Sequence, residues 1–142
     1  MTNQSNENHV FIDTNVIIGA FTGNHDDNRC LAYLGGLNGK KLYISSLSIA
    51  QFASVLQNHK YQTDKIRKAI DSFLSKYEII SFDEKDIKNS MHVKCNDIED
   101  AIQYTLSEKT KCLFIVTNNI KHYRGNFLNK KVLLPKEARN IY

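Results

Sequence analysis

At 142 residues, 42% hydrophobic and 24% charged, the chain is long enough to bury one core and has the composition of a soluble globular domain. No apolar run approaches the ~20 residues a membrane-spanning helix needs, and Met1 to His9 lack the basic start and apolar run of a secretory signal. The formal charge of +4 is uneven: from Lys109 to Tyr142 there are eight Lys/Arg and one acid, Glu137, a local +7 that leaves −3 for the remainder. A basic C-terminal third points to an anionic partner, nucleic acid first, against the plainer reading of a lysine-rich solvated surface. Three cysteines, Cys30, Cys95 and Cys112, are odd in number and lack close metal-ligand spacing. They read as reduced thiols in a cytoplasmic protein rather than as a disulfide framework.

Residues 1–8 are expected to form a flexible tail, and residues 9–142 a single domain. Val10-Phe11-Ile12 reads as a short buried strand that runs into Asp13-Thr14-Asn15, where a helical pattern starts (Val16, Ile17, Ile18, Ala20, Phe21). After the loop at Gly23-Asn24-His25-Asp26, Asp27 or Asn28 is the expected cap of a helix with Cys30, Leu31, Leu34 and Leu37 on one face, stopped at Asn38-Gly39. Leu42-Tyr43-Ile44 is a second strand, and Ser45, Ser46 and Ser48 are cap candidates for a helix with the stripe Ile49, Phe52, Ala53, Leu56. A further helix carries Ile66 to Tyr77 at helical spacing, followed by a strand at Glu78-Ile79-Ile80 and a short helix from near Asp83. Asn96-Asp97-Ile98-Glu99-Asp100 opens a helix with Ile98, Ala101, Ile102, Thr105 and Leu106 toward the core. Cys112 to Val116 is the clearest strand; it ends in Thr117-Asn118-Asn119 and a basic loop, Lys121 to Gly125. Val132-Leu133-Leu134 is a last strand, and Pro135 starts a terminal helix. Strands alternating with helices predict a three-layer α/β/α fold with a mostly parallel central sheet of four to five strands.

In such sheets ligands bind beyond the carboxyl ends of the strands. Asp13 and Thr117-Asn118-Asn119 occupy two of those ends, and Asp97 and Asp100 begin a helix that can face them. At about 100° per residue, Asp97 and Asp100 share a flank and Glu99 points to the other. Each acid also has a purely local reading: Asp13 and Asp97 as helix caps, and acids in a first turn as partners of free N–H groups. Together they make a hard oxygen cluster suited to Mg²⁺ or Mn²⁺, which would activate water and stabilise a phosphodiester's leaving oxygen. Lys121 and Arg124, with Lys130 and Lys131, would hold the nucleic-acid backbone. Tyr104 is placed either to stack on a base or to fill the core boundary. There is no Gly-rich phosphate loop, HExxH or CxxC.

Phe11-Ile12-Asp13-Thr14-Asn15, Asn96 to Ala101, Phe114 to Asn119 and Pro135-Lys136-Glu137 occur in the order and spacing that resemble PIN-domain ribonucleases, from about His9 to Ile141. The resemblance implies Asp13 and Asp100 as metal ligands, Asp97 assisting, and Asn119 at the place of a fourth acid. It implies Asn15 and Thr117 as residues that orient the ligands and contact substrate beside Lys121 and Arg124. It further implies a Mg²⁺- or Mn²⁺-dependent endoribonuclease acting on single-stranded RNA, an antitoxin partner, and a homodimer. The sequence departs from the pattern at Gln51, where glutamate is usual, at Asn119, and at His122-Tyr123, where Asp-Phe is frequent. Those amides keep open a second reading, an RNA-binding or regulatory module with weak or no catalysis. A phosphatase or receiver-like domain is a third, without the late-strand lysine it would require.

Overall fold

The structure, a computed structural model, describes residues 6–123 and 131–141. In chain order the elements are β1 (Asn6–Ile12), α1 (Thr14–Phe21), α2 (His25–Gly35), β2 (Lys41–Ser45), α3 (Ser46–Asn58), α4 (Thr63–Lys76), β3 (Glu78–Ile80), α5 (Glu84–Ser90), α6 (Ile98–Lys109), β4 (Cys112–Val116), α7 (Ile120–Tyr123), β5 (Lys131–Leu133) and α8 (Pro135–Ile141). The strands form one five-stranded sheet in the order β3-β2-β1-β4-β5, with every pairing parallel. This is the expected three-layer α/β/α architecture, with β1 at its centre.

A central parallel strand has both faces covered by helices, which is why Val10-Phe11-Ile12 is an unbroken apolar run. Alternation sends Val10 and Ile12 into one core with Val16, Leu34, Phe52, Phe114 and Val116, and Phe11 into a second with Leu106 and Ile115. Phe11 is fully buried, so truncation to alanine would cost about 3–5 kcal/mol. The register pairs Val10 with Phe114 and Ile12 with Val116, so β1 and β4 end level with each other.

Several boundaries differ from the sequence expectation, each for a local reason. Residues 6–8, expected in the tail, begin β1: Asn6 pairs with Cys112 and its N–H donates to the Lys111 carbonyl at 2.6 Å. Asn24, not Asp27 or Asn28, caps α2, its side chain accepting from the Asp27 N–H. That helix ends at Gly35, before Asn38-Gly39, because consecutive glycines propagate a helix poorly. Tyr77 leaves α4 in an extended conformation that leads directly into β3. Part of the expected basic loop is a one-turn helix, α7, and Arg124, Gly125 and Lys130 lie outside the described residues. Ser45 caps α3, and Asp83 forms a capping box with Asp86 at α5. Cys30, Cys95 and Cys112 are not joined in disulfides. Among the described residues no helix is long and apolar enough to cross a membrane.

Candidate active site

The strand order fixes where a site can form. From β1 the chain winds outward to β2 and β3, then returns to the other side of β1 as β4, so the β1–β4 boundary is the topological switch point. Asp13 stands just past β1 and Thr117 just past β4, and the Asp13 N–H donates to the Val116 carbonyl at 2.9 Å. The chain reverses there because Asp13 caps α1: its φ of −74° and ψ of 153° are extended, and Oδ1 accepts from the Thr14 N–H at 2.8 Å.

The other oxygen, Oδ2, is fixed by side chains from distant elements. It accepts from the Thr117 hydroxyl at 2.8 Å and from Asn15 Nδ2 at 3.1 Å, and the Tyr123 hydroxyl lies 3.3 Å away. The Tyr123 hydroxyl is also 3.3 Å from Asp100 Oδ1. Asp13 and Asp100 therefore meet through one phenol oxygen, although 87 residues separate them in the chain. Asp13 is 5% and Asp100 8% exposed. Burial pushes both carboxyls above the usual carboxylate range; Asp100 adds to the effect on Asp13, and Asp97 to that on Asp100. His122 Nδ1 bonds the other oxygen of Asp100 and opposes the shift. Burial and the two aspartates also push the Tyr123 phenol far up, so it stays protonated as a donor.

Asp13, Asn15, Asp100 and Asn119 line one open cavity of about 470 Å³, together with Gln51 and Glu99. The structure thus brings Glu99 into the company from which the helical projection excluded it. That projection treated Asp97 as helical, whereas Asp97 is the N-cap, with φ −95° and ψ 118°, and its side chain accepts from the Asp100 N–H. It borders a second cavity, of about 420 Å³, with Lys121 and His122, while its carboxyl stays within 4.8 Å of ligand atoms of Asp100 and His122. Lys121 is exposed beside Asp97, not on the Asp13 side. Lys131 begins β5 in register with Phe114, its ammonium 5.8 Å above that ring. Tyr104 packs within the core clusters around Phe11 and Tyr123, and it does not line the cavity.

Beneath the cavity runs a polar network that the sequence reading did not find. Gln103 is 2% exposed; its Nε2 donates to Thr14 Oγ1 at 3.1 Å and to Ser48 Oγ at 2.9 Å, and its Oε1 accepts from Ser45 at 2.8 Å. Gln51 completes it: Oε1 accepts from the Thr14 hydroxyl at 2.6 Å and Nε2 donates to Glu99 Oε2 at 2.7 Å. Buried amides and hydroxyls need such mutual satisfaction, and here it fixes α1, α3 and α6 relative to one another. On the far side of Asn15, Asn118 is tied twice. Its N–H donates to Asn15 Oδ1 at 2.9 Å, and its Nδ2 to the buried Asp27 at 3.1 Å.

The donors to Asp13 are all neutral: an N–H, an amide and two hydroxyls. Two buried carboxyls that meet without a full positive charge between them fit a divalent, oxygen-seeking cation in their donor chemistry.

Residues 9–121 match the PIN domain family. The fold is similar to the crystal structure of VapBC2 from Rickettsia felis bound to a DNA fragment from its promoter, with a TM-score of 0.68 and 20% identity over 87% of this chain and 96% of that one. It is also similar to a toxin–antitoxin complex from Klebsiella pneumoniae, with a TM-score of 0.67 and 21% identity over 90% of this chain and 98% of that one. No curated protein matches the sequence significantly.

Proposed function

This chain belongs to the PIN-domain family, and we propose that it is a divalent-metal-dependent endoribonuclease, the toxin half of a cytoplasmic toxin–antitoxin pair. The observation that carries the reading is the meeting of Asp13 and Asp100 at the Tyr123 hydroxyl on one open cavity. The similarity to two toxin–antitoxin structures supports the antitoxin partner.

Asp13 and Asp100 would hold Mg²⁺ or Mn²⁺, with Asn119 on the same wall and Asp97 assisting from the cap of α6. When bound, the ion supplies an activated water and neutralises charge on the leaving oxygen. The chain's own residues do the positioning. Thr117 and Asn15 keep Asp13 Oδ2 aimed at the cavity, and the Tyr123 hydroxyl sits between the two carboxyls, donating its single proton to one at a time. Gln51 holds Glu99 against the opposite wall, where a carboxylate can accept a hydrogen bond from water or a ribose hydroxyl. Lys121, with Arg124, would attract the RNA backbone without reading its bases.

The test is cleavage of single-stranded RNA with Mn²⁺ or Mg²⁺ by wild type, Asp13→Asn and Asp100→Asn, with a chelator as control. Wild type should cleave and both variants should lose activity by orders of magnitude; equal cleavage by all three would overturn the proposal. A second reading, an RNA-binding module without catalysis, is favoured by the two amides Gln51 and Asn119 on the cavity wall. It predicts salt-sensitive RNA binding that does not change on adding or removing divalent ions.

A further inference from the structure

Asp100 is gripped on both of its oxygens, and the two grips differ chemically. Oδ1 faces the Tyr123 hydroxyl and, through it, Asp13; Oδ2 takes His122 Nδ1. On the second side Asp97, Asp100 and His122 each present a donor atom, and these three atoms lie within 4.8 Å of one another. The convergence follows from the backbone. Asp97, as the cap of α6, folds its carboxyl back onto the Asp100 N–H, and α7, which starts directly after Asn119, brings His122 against Asp100. Cys95, just before the cap, reaches the His122 carbonyl with its thiol at 3.8 Å, joining the two segments. The His122 side chain is 46% exposed and borders the 420 Å³ cavity, so an ion has open access to the ring. The two carboxylates offset the positive end of the α6 dipole, which would otherwise repel a cation.

An imidazole among carboxylates changes what such a centre selects. Mg²⁺ takes oxygen ligands and keeps its waters, whereas first-row transition ions accept a neutral imidazole nitrogen readily. We propose that His122 is a nitrogen ligand to the cation held by Asp100, and that it makes the centre prefer a first-row transition ion, Mn²⁺ or Zn²⁺, over Mg²⁺. This rests on the cation site proposed above. Asp97 supplies a further oxygen on the same side, while Asp13 serves Asp100 from the other.

The experiment uses the full-length metal-free protein as wild type, His122→Asn, His122→Asp and Asp13→Asn. Calorimetric titration with Mn²⁺ and Mg²⁺ is combined with pulsed EPR of the Mn²⁺-loaded protein, and thermal melts report folding. Wild type should show a coordinated ¹⁴N coupling that is absent in His122→Asn, and that variant should lose about tenfold or more in Mn²⁺ affinity with little change for Mg²⁺. His122→Asp, which restores an oxygen donor, should retain Mg²⁺ binding and lose the nitrogen signal. A wild-type spectrum without ¹⁴N coupling, a coupling that persists in His122→Asn, or an equal loss for both ions would overturn the proposal. Loss of Mn²⁺ binding in Asp13→Asn with no effect in His122→Asn would sink the role of His122 and leave the proposed cation site standing. Absence of any Mn²⁺ binding by wild type would sink both.

Discussion

Gly19, in the last turn of α1, packs against Asp27, which holds Asn118 beside Asn119 of the cavity wall. A Cβ built there would stand 1.8 Å from Asp27 Oδ2 and 2.9 Å from its Cγ. Asp27 is 2% exposed, so its carboxyl has no solvent to swing into and must release Asn118 Nδ2, which it holds at 3.1 Å. Losing a hydrogen bond to a buried charged group costs about 1.5–3 kcal/mol. Replacing glycine by alanine inside a helix returns about 0.8–1.0 kcal/mol. Gly19→Ala should therefore destabilise the protein by about 0.5–2 kcal/mol in urea unfolding, the difference between those two effects. It should also loosen the turn that sets Asn119, weakening divalent-ion binding. Removing the carboxyl relieves the clash, so Gly19→Ala/Asp27→Ala should be more stable than the sum of the single changes allows, a coupling a double-mutant cycle measures directly. A Gly19→Ala protein more stable than wild type, with no coupling in the cycle, would refute the reasoning.

Tyr123→Phe removes only the hydroxyl that joins Asp13 and Asp100; secondary structure should be unchanged and Mn²⁺ affinity should fall about 10–100-fold in calorimetric titration. Gln51→Glu sets a new carboxylate where an amide now donates to Glu99 at 2.7 Å. The metal-free variant should melt at a lower temperature than wild type, and added Mn²⁺ should raise its melting temperature by more than it raises that of wild type. Burial raises the Asp13 and Asp100 carboxyls above the ordinary value of an exposed aspartate. Between that value and the raised ones the unfolded chain binds fewer protons than the folded one, so the stability these groups contribute is present at low pH and lost as pH rises. Thermal melts of the metal-free protein from about pH 4 to 7 should show this fall, and Asp13→Asn should flatten it.

The scaffold was legible because the apolar runs are unambiguous. Val10-Phe11-Ile12 and Cys112 to Val116 announce buried parallel strands, and the alternation of strands and helices restricts the topology to a few choices. The placement of Asp13, Asn15 and Thr117 around one carboxyl follows from strand ends that share a register. Asp97 and Asp100 lie together, with ligand atoms within 4.8 Å of each other and Asp97 as the extended cap. Glu99 reaches the cavity wall beside Gln51 of α3, a contact between elements that a helical angle does not record. Tyr123 and His122 were visible only as departures at the end of a basic segment, because nothing in local spacing says that a residue one turn past Asn119 folds back onto Asp100. Gln103 sits on a helix face that reads as polar boundary. Its burial comes from hydroxyls on β2, α1 and α3, contacts between elements that no periodicity records. Asp27 reads as a cap because it lies in the first turn of α2, and its bond to Asn118 is a tertiary contact that local sequence does not record.

The central claim, that Asp13 and Asp100 converge on one divalent ion, is tested most directly by anomalous diffraction from crystals soaked with Mn²⁺. The account predicts a strong anomalous peak in contact with both carboxyls, absent in crystals of Asp13→Asn. A peak remote from both, or ordered carboxyls that turn into separate spaces with no ion between them, would contradict it.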